Sequence, residues 1–160
     1  MSIQAGEKMP SGVFGVMTEA GPGAISTDEL FAGKKVVLVS VPGAFTPTCS
    51  AKHLPGFVEQ LAKIKGKGVD TVAFMAVNDV FVMNAWGKDQ DVGDSIVMLA
   101  DGNGEYAKAL GLEMDGTAFG MGLRGQRFAL IVDDGTATHV AVEAAGQFEV
   151  SKAEAILASL

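Results

Sequence analysis

KKVVLVSVPGAFTPTCSAKHLPGF, residues Lys34 to Phe57, decides the fold, because an apolar β-branched run stops at a proline and a helical pattern begins just beyond it. From Lys34 to Pro42 the residues have the near-continuous apolar character of a strand covered on both faces. Pro42 has no N–H to continue a ladder, and Gly43 lets the backbone turn tightly. Thr46 directly precedes Pro47; threonine is a good N-cap and proline suits the first helical position, so the pair predicts a helix start. Cys49, the one cysteine of the chain, then lies in the first helical turn. Unpaired amides and the positive end of the helix dipole favour an anion there, which for a cysteine means a thiolate. A cysteine that merely fills the core needs no such setting, and Cys49 is read as a nucleophile.

Downstream, Thr48 to Lys65 carries Leu54, Val58, Leu61 and Ile64 at helical spacing, with Pro55 predicting a kink after Ala51. Further strands are expected at Asp70–Asn78, Ser95–Ala100, Arg127–Gly135 and Thr138–Ala144, and short helices at Asp79–Trp86 and Gly104–Leu110. The last two strands, separated only by Asp133 to Ala137, read as an antiparallel hairpin. Ser26 with Glu29 and Ser151 with Glu154 have the spacing of capping boxes, the second opening a helix with Ile156, Leu157 and Leu160. Strands and helices alternate, so the expected fold is an α/β sandwich with a central mixed β-sheet flanked by helices. At 160 residues, 48% of them apolar, residues 1–160 are expected to form a single domain with one core.

A formal charge of −7 argues against sequence-independent binding to nucleic acid or to anionic membrane, which draws its energy from lysine and arginine. No run of about 18 apolar residues is present to span a bilayer. MSIQAGEKMP lacks the basic and apolar regions of a secretory signal, and an intramolecular disulfide is impossible with one cysteine, so a reducing, cytoplasmic setting is expected. The glycine-rich segments, including Gly120 to Gln126, match no phosphate-cradling motif. One cysteine and two histidines make no recognisable metal-ligand spacing, so neither metal nor cofactor is expected. His139 is available to a cysteine hydrolase, but no local signature supports one. Cys49 is followed by Ser50, Ala51 and Lys52, which leaves only a monothiol form of thiol–disulfide oxidoreductase as an alternative. A non-catalytic redox-sensing or partner-binding protein is the other.

PGAFTPTCS, Pro42 to Ser50, resembles the PxxxTxxC signature of the peroxiredoxins, and FTPTCS followed by KHLPGF is similar to their type II branch. Lys67–Trp86, Leu99–Leu112 and Arg127–Gly135 resemble that branch's segments in the same order. The resemblance implies a thioredoxin-like fold and a thiol peroxidase that reduces hydrogen peroxide and organic hydroperoxides through a sulfenic acid. It also implies four site residues: Pro42 shields the thiolate, Thr46 hydrogen-bonds the peroxide, Cys49 is the nucleophile, and Arg127 holds both thiolate and peroxide. Chemically, the reaction builds charge on the departing oxygen, which hydrogen-bond donors and a forked permanent cation can stabilise.

Arg124, in the same glycine-rich loop, is a weaker candidate for a supporting role. His53, one turn beyond Cys49, either tunes the thiol or is an ordinary surface histidine. Phe45 and Phe119 are candidates for an apolar collar or for the homodimer surface that the family suggests. Where other members of the branch carry a second cysteine, this chain has none: Val142–Ala155 lacks one, and Phe74 stands at the matching strand position. The resemblance therefore implies a one-Cys enzyme recycled by an external thiol, glutathione with glutaredoxin or thioredoxin.

Overall fold

The computed structural model describes every residue from Met1 to Leu160. Its centre is a mixed seven-stranded sheet in the order β2-β1-β5-β4-β3-β8-β9. The strands are β1 (Val13–Thr18), β2 (Gly21–Ser26), β3 (Lys35–Ser40), β4 (Thr71–Ala76), β5 (Val97–Ala100), β8 (Phe128–Asp133) and β9 (Thr136–Val142). Two short strands, β6 (Glu113–Asp115) and β7 (Leu123–Gly125), form a separate ribbon. β3, β4 and β5 run parallel, whereas β8 pairs antiparallel with both β3 and β9.

The near-continuous apolar runs of β3 and β4 are explained by burial on both faces. Val37, Val39, Val72 and Phe74 pack with Leu54, Phe57, Ile64, Met83, Trp86 and Ile156. Those partners come from α2 (Leu54–Gly66), α3 (Val80–Asp89) and α5 (Ala153–Ala158). Val36, Leu38, Ala73 and Met75 face the other way, toward Leu30, Phe31, Tyr106 and Leu110 of α1 (Thr27–Phe31) and α4 (Glu105–Leu110). Period-two alternation thus divides apolar residues between two cores rather than between core and water. No helix is long and apolar enough to cross a membrane.

The expected strands and helices occur within a few residues of their predicted limits, and the β8–β9 hairpin is present. The hairpin of β1 and β2 was not foreseen; β2, with its sequence GPGAIS, carries little strand signal. The Ser26–Glu29 capping box forms, with both reciprocal bonds present. The Ser151–Glu154 box does not: Lys152 occupies the N-cap of α5 without a side-chain bond. Ser151 instead donates its hydroxyl to Glu143 Oε2 at 2.7 Å. A buried carboxylate is a stronger acceptor than any group at an exposed helix start.

Candidate active site

Three strand ends meet at the site. Ser40, last in β3, pairs with Phe128, first in β8, and Phe128 pairs in turn with Val142 at the end of β9. The chain leaving β3 toward Cys49 therefore runs beside Arg127, with Glu143 on the other side. Two bonds fix this junction: Ser40 Oγ donates to Gln126 O at 2.8 Å and Glu143 N donates to Arg127 O at 3.0 Å.

Beyond Pro42 the backbone turns sharply. Gly43 is packed so tightly that an added Cβ would lie 3.1 Å from Thr46 Cγ2, and Phe45 adopts the left-handed conformation at φ 63°. The amide of Ala44 donates to Asn78 Oδ1 at 2.9 Å, which anchors the turn to the end of β4. Helical backbone begins at Pro47, as predicted, and the first helical bond runs from Ser50 N to Thr46 O at 2.9 Å. The amides of Thr48 and Cys49 lie ahead of that bond, in the region where a helix attracts an anion.

Two local details differ from the sequence reading. The Thr46 hydroxyl does not cap the helix; it donates to Gly43 O at 2.7 Å, so the group it presents to the site is an acceptor rather than a donor. Pro55 does not produce a simple kink. Cys49 to His53 form a π turn, closed by Leu54 N–H to Cys49 O. Proline removes one bond of an α-helix and crowds the carbonyl four residues back, here that of Ala51; widening the preceding turn by one residue accommodates both.

Cys49 is fully buried. Arg127 Nη2 lies 3.1 Å from its Sγ, so the contact implied by the resemblance is present. Arg127 Nη1 reaches His53 Nδ1 at 2.8 Å, and His53 Nε2 reaches Ser151 O at 3.0 Å. His53 is buried, not on the surface. Phe57, Phe74 and Phe148 surround its imidazole, with ring centroids at 5.7, 5.6 and 5.0 Å. Burial is the main reason its pKa falls from 6.5 to about 4, with the charge of Arg127 acting in the same direction.

Glu143 has the opposite character. Burial alone raises its pKa, but the bonds it accepts from Ser151 N and Oγ and from Glu149 N outweigh burial and hold it below the ordinary 4.5. Trp86 Nε1 donates to Ser50 Oγ at 3.0 Å, which ties the π turn to α3.

A cavity of about 410 Å³ opens over the site, lined in part by Pro42, Thr48, Lys52, Gln126, Arg127 and Phe148. Pro42 and Arg127 thus separate the buried sulfur from the open space. Arg124 packs against the turn at Gly43, but its bonds go elsewhere: its Nε donates to Met121 O at 2.9 Å and its Nη1 to Val77 O at 3.0 Å. It fastens the β7 loop to the end of β4 and has no bond to Cys49. His139 lies in a separate groove with Val140 and Ala155, so it does not form the cysteine–histidine pair of a hydrolase. Phe45 and Phe119 are 50% and 84% exposed, which leaves both available to a partner surface.

The sequence reading did not reach the roles of Ser151 and Glu143. Ser151 has the spacing of a capping box with Glu154, and Glu143 falls at the end of the strand expected over Thr138–Ala144, so neither carries a signal that joins them.

The Redoxin family model matches residues 4–157. Over 159 residues the chain is 47% identical to Peroxiredoxin-2B of Arabidopsis thaliana, covering 99% of this chain and 98% of the relative. It is equally similar to Peroxiredoxin-2C of rice, Oryza sativa, over the same shares. Among solved structures, reduced Prx3 of Vibrio vulnificus in complex with hydrogen peroxide superposes with a TM-score of 0.94 at 52% identity, covering 98% of each chain. The 1-Cys peroxiredoxin of Plasmodium falciparum superposes with a TM-score of 0.89 at 29% identity, over 96% of each chain.

Proposed function

The chain belongs to the Redoxin family and is a peroxiredoxin, a thiol peroxidase, and from that premise we propose that Cys49 is its peroxidatic nucleophile, with Arg127, Thr46 and Pro42 as the groups that make its sulfur reactive. The 3.1 Å approach of Arg127 Nη2 to Cys49 Sγ carries this reading. A guanidinium in that position stabilises the thiolate, and its planar fork can also reach a peroxide oxygen.

The thiolate attacks one oxygen of ROOH; an S–O bond forms as the O–O bond breaks. The electron pair leaves on the second oxygen, which takes up a proton to give water or an alcohol. Sulfur is oxidised by two electrons to the sulfenic acid. Because the proton of Thr46 is committed to Gly43 O, the hydroxyl accepts a bond from the peroxide O–H and orients it. Donation comes from Arg127 and the amides of Thr48 and Cys49, aimed at the oxygens where charge develops. Pro42 and the buried position of Cys49 keep bulk water from the sulfur.

With a single cysteine, no second thiol of the same chain can attack the sulfenic acid. The reductant we propose is an external thiol, glutathione working with glutaredoxin, or thioredoxin, and the setting is a reducing compartment such as the cytoplasm. Phe45, in the turn before Cys49, and Phe119, both exposed, are the proposed centre of a homodimer face. Peroxide consumption is the direct test, with glutathione plus glutaredoxin, or thioredoxin plus its reductase, supplied separately. Consumption with neither system would overturn the proposed recycling, and a Cys49→Ser protein as active as the wild type would overturn the nucleophile.

A further inference from the structure

Cys49 has no exposed surface, so a thiol that reduces its sulfenic acid has to reach it through the cavity of about 410 Å³ beside Pro42 and Arg127. That volume lies within the range of small-molecule sites, roughly 300 to 1,000 Å³. It suits a small thiol that enters whole. A thiol fixed to the surface of another protein would meet the sulfur only after this part of the chain had opened.

The walls of the cavity carry charge of both signs. Lys52 stands in the π turn, three residues beyond Cys49, and Glu113 opens β6. Both are exposed; the Lys52 ammonium has no bond within the chain, and Glu113 is bonded only through its backbone. Their charged ends are thus available to a ligand. The two other charged groups of the lining are committed: Arg127 to His53 and Cys49, and Glu143 to the amides of Glu149 and Ser151. Gln126 and Gln147 add neutral donors and acceptors to the same lining.

A ligand matched to these walls carries its thiol together with a carboxylate for Lys52 and an ammonium for Glu113. Glutathione, one of the two reductants proposed above, has both groups. We infer that glutathione itself enters this cavity to reduce the sulfenic acid, Lys52 holding a carboxylate and Glu113 the ammonium, and that these two residues select a zwitterionic peptide thiol over thiols that lack either charge. The inference rests on the reading of Cys49 and its external reductant given above.

In the step so assisted, the glutathione thiolate attacks the sulfenic sulfur. An S–S bond forms as the S–O bond breaks, and the departing hydroxide takes up a proton to leave as water. The Cys49 sulfur is reduced at the expense of the glutathione sulfur, and a second thiol then releases the Cys49 thiolate from the mixed disulfide.

The test starts from sulfenic acid made with one equivalent of hydrogen peroxide. It is mixed with glutathione, with N-acetylglutathione, whose ammonium is blocked, or with glutathione diethyl ester, whose carboxylates are blocked, at equal thiolate concentration. Mixed disulfide is followed by intact mass after rapid quenching, and reduced thioredoxin is run in parallel. Each blocked thiol should react about two- to fivefold more slowly than glutathione with the wild type, the scale of a solvent-exposed ion pair. Lys52→Met should erase the difference between glutathione and its diester, and Glu113→Gln the difference between glutathione and its N-acetyl form. Lys52→Glu should cost glutathione more than Lys52→Met does.

Equal rates for glutathione and both blocked forms in the wild type would overturn the inference, as would differences that persist in the two variants. A sulfenic acid that thioredoxin reduces and glutathione does not would overturn it while leaving the external-thiol cycle in place. Failure of peroxide to produce any sulfenic acid on Cys49 would instead overturn the reading on which the inference stands.

Discussion

Arg127 and Cys49 are separated by 78 residues of chain and by 3.1 Å of space. The antiparallel register of β3 and β8 accounts for this. Pairing Ser40 with Phe128 places the first residue before β8 against the turn that follows β3. A shift of one residue would exchange the faces of the strand and turn the guanidinium away from the sulfur.

Exchanging Arg127 for lysine keeps the charge but loses the fork. Second-order reactivity with peroxide should fall roughly ten- to a thousandfold, about 1.4 to 4 kcal/mol of transition-state stabilisation. Arg124→Lys offers the contrast. That residue bonds the carbonyls of Met121 and Val77, so its loss should cost about 1 kcal/mol of stability and leave the rate within about threefold. Stopped-flow kinetics on the two variants decides the assignment: equal losses would mean that the fork of Arg127 has no special place.

Treatment with one equivalent of peroxide and no thiol should add a single oxygen to the intact mass, located on Cys49. Glutathione added next should replace that oxygen with one glutathione unit, and excess peroxide should carry the sulfur to sulfinic and sulfonic acid. Sustained turnover on peroxide alone would contradict a cycle that depends on an outside thiol. A covalent dimer on a non-reducing gel would point to a Cys49–Cys49 disulfide between chains as the resting oxidised form.

His53 links stability to pH. Its pKa is 6.5 when unfolded and about 4 in the folded protein, so between those values the unfolded chain binds one proton more than the native one. Stability from this group is complete above pH 6.5 and falls as pH drops toward 4, by about 3 kcal/mol in all. Urea unfolding of wild type and His53→Gln across that window should show the steeper acid loss in the wild type. Glu143 also loses stability on acidification, because its pKa is lowered, but it does so in both proteins. Parallel curves would mean that His53 is not held neutral.

Trp86 is the sole tryptophan, and its Nε1–H bonds Ser50 Oγ, the neighbour of Cys49 in the π turn. Oxidation of Cys49 should therefore change the intrinsic fluorescence at a rate proportional to peroxide concentration. Ser50→Ala should shift the resting emission and reduce that response. A fluorescence change that persists in Cys49→Ser would trace the signal to something other than the thiol.

What the sequence determined by itself lies in features that are local. The apolar run ending at Val41, the Thr46–Pro47 helix start and the position of Cys49 in the first turn depend on residues within a few places of one another. Strand alternation and the β8–β9 hairpin depend on short-range periodicity and turn chemistry, and they too were legible. Pro55 announced a disturbance of the helix, but whether it became a kink or a π turn was decided by packing in the core that holds Cys49, Leu54 and Trp86. Apart from the family resemblance, nothing near Arg127 in sequence distinguishes it from Arg124. The register of β8 against β3 sends one to the sulfur and the other to the Val77 carbonyl. His53, Ser151 and Glu143 were the least legible, because each is an ordinary polar residue until folding buries it. Burial removes water as a partner and obliges each donor and acceptor to find another within the protein. That requirement arises only in the assembled tertiary structure, and there it joins Glu143, Ser151, His53 and Arg127 into one chain of hydrogen bonds ending at Cys49.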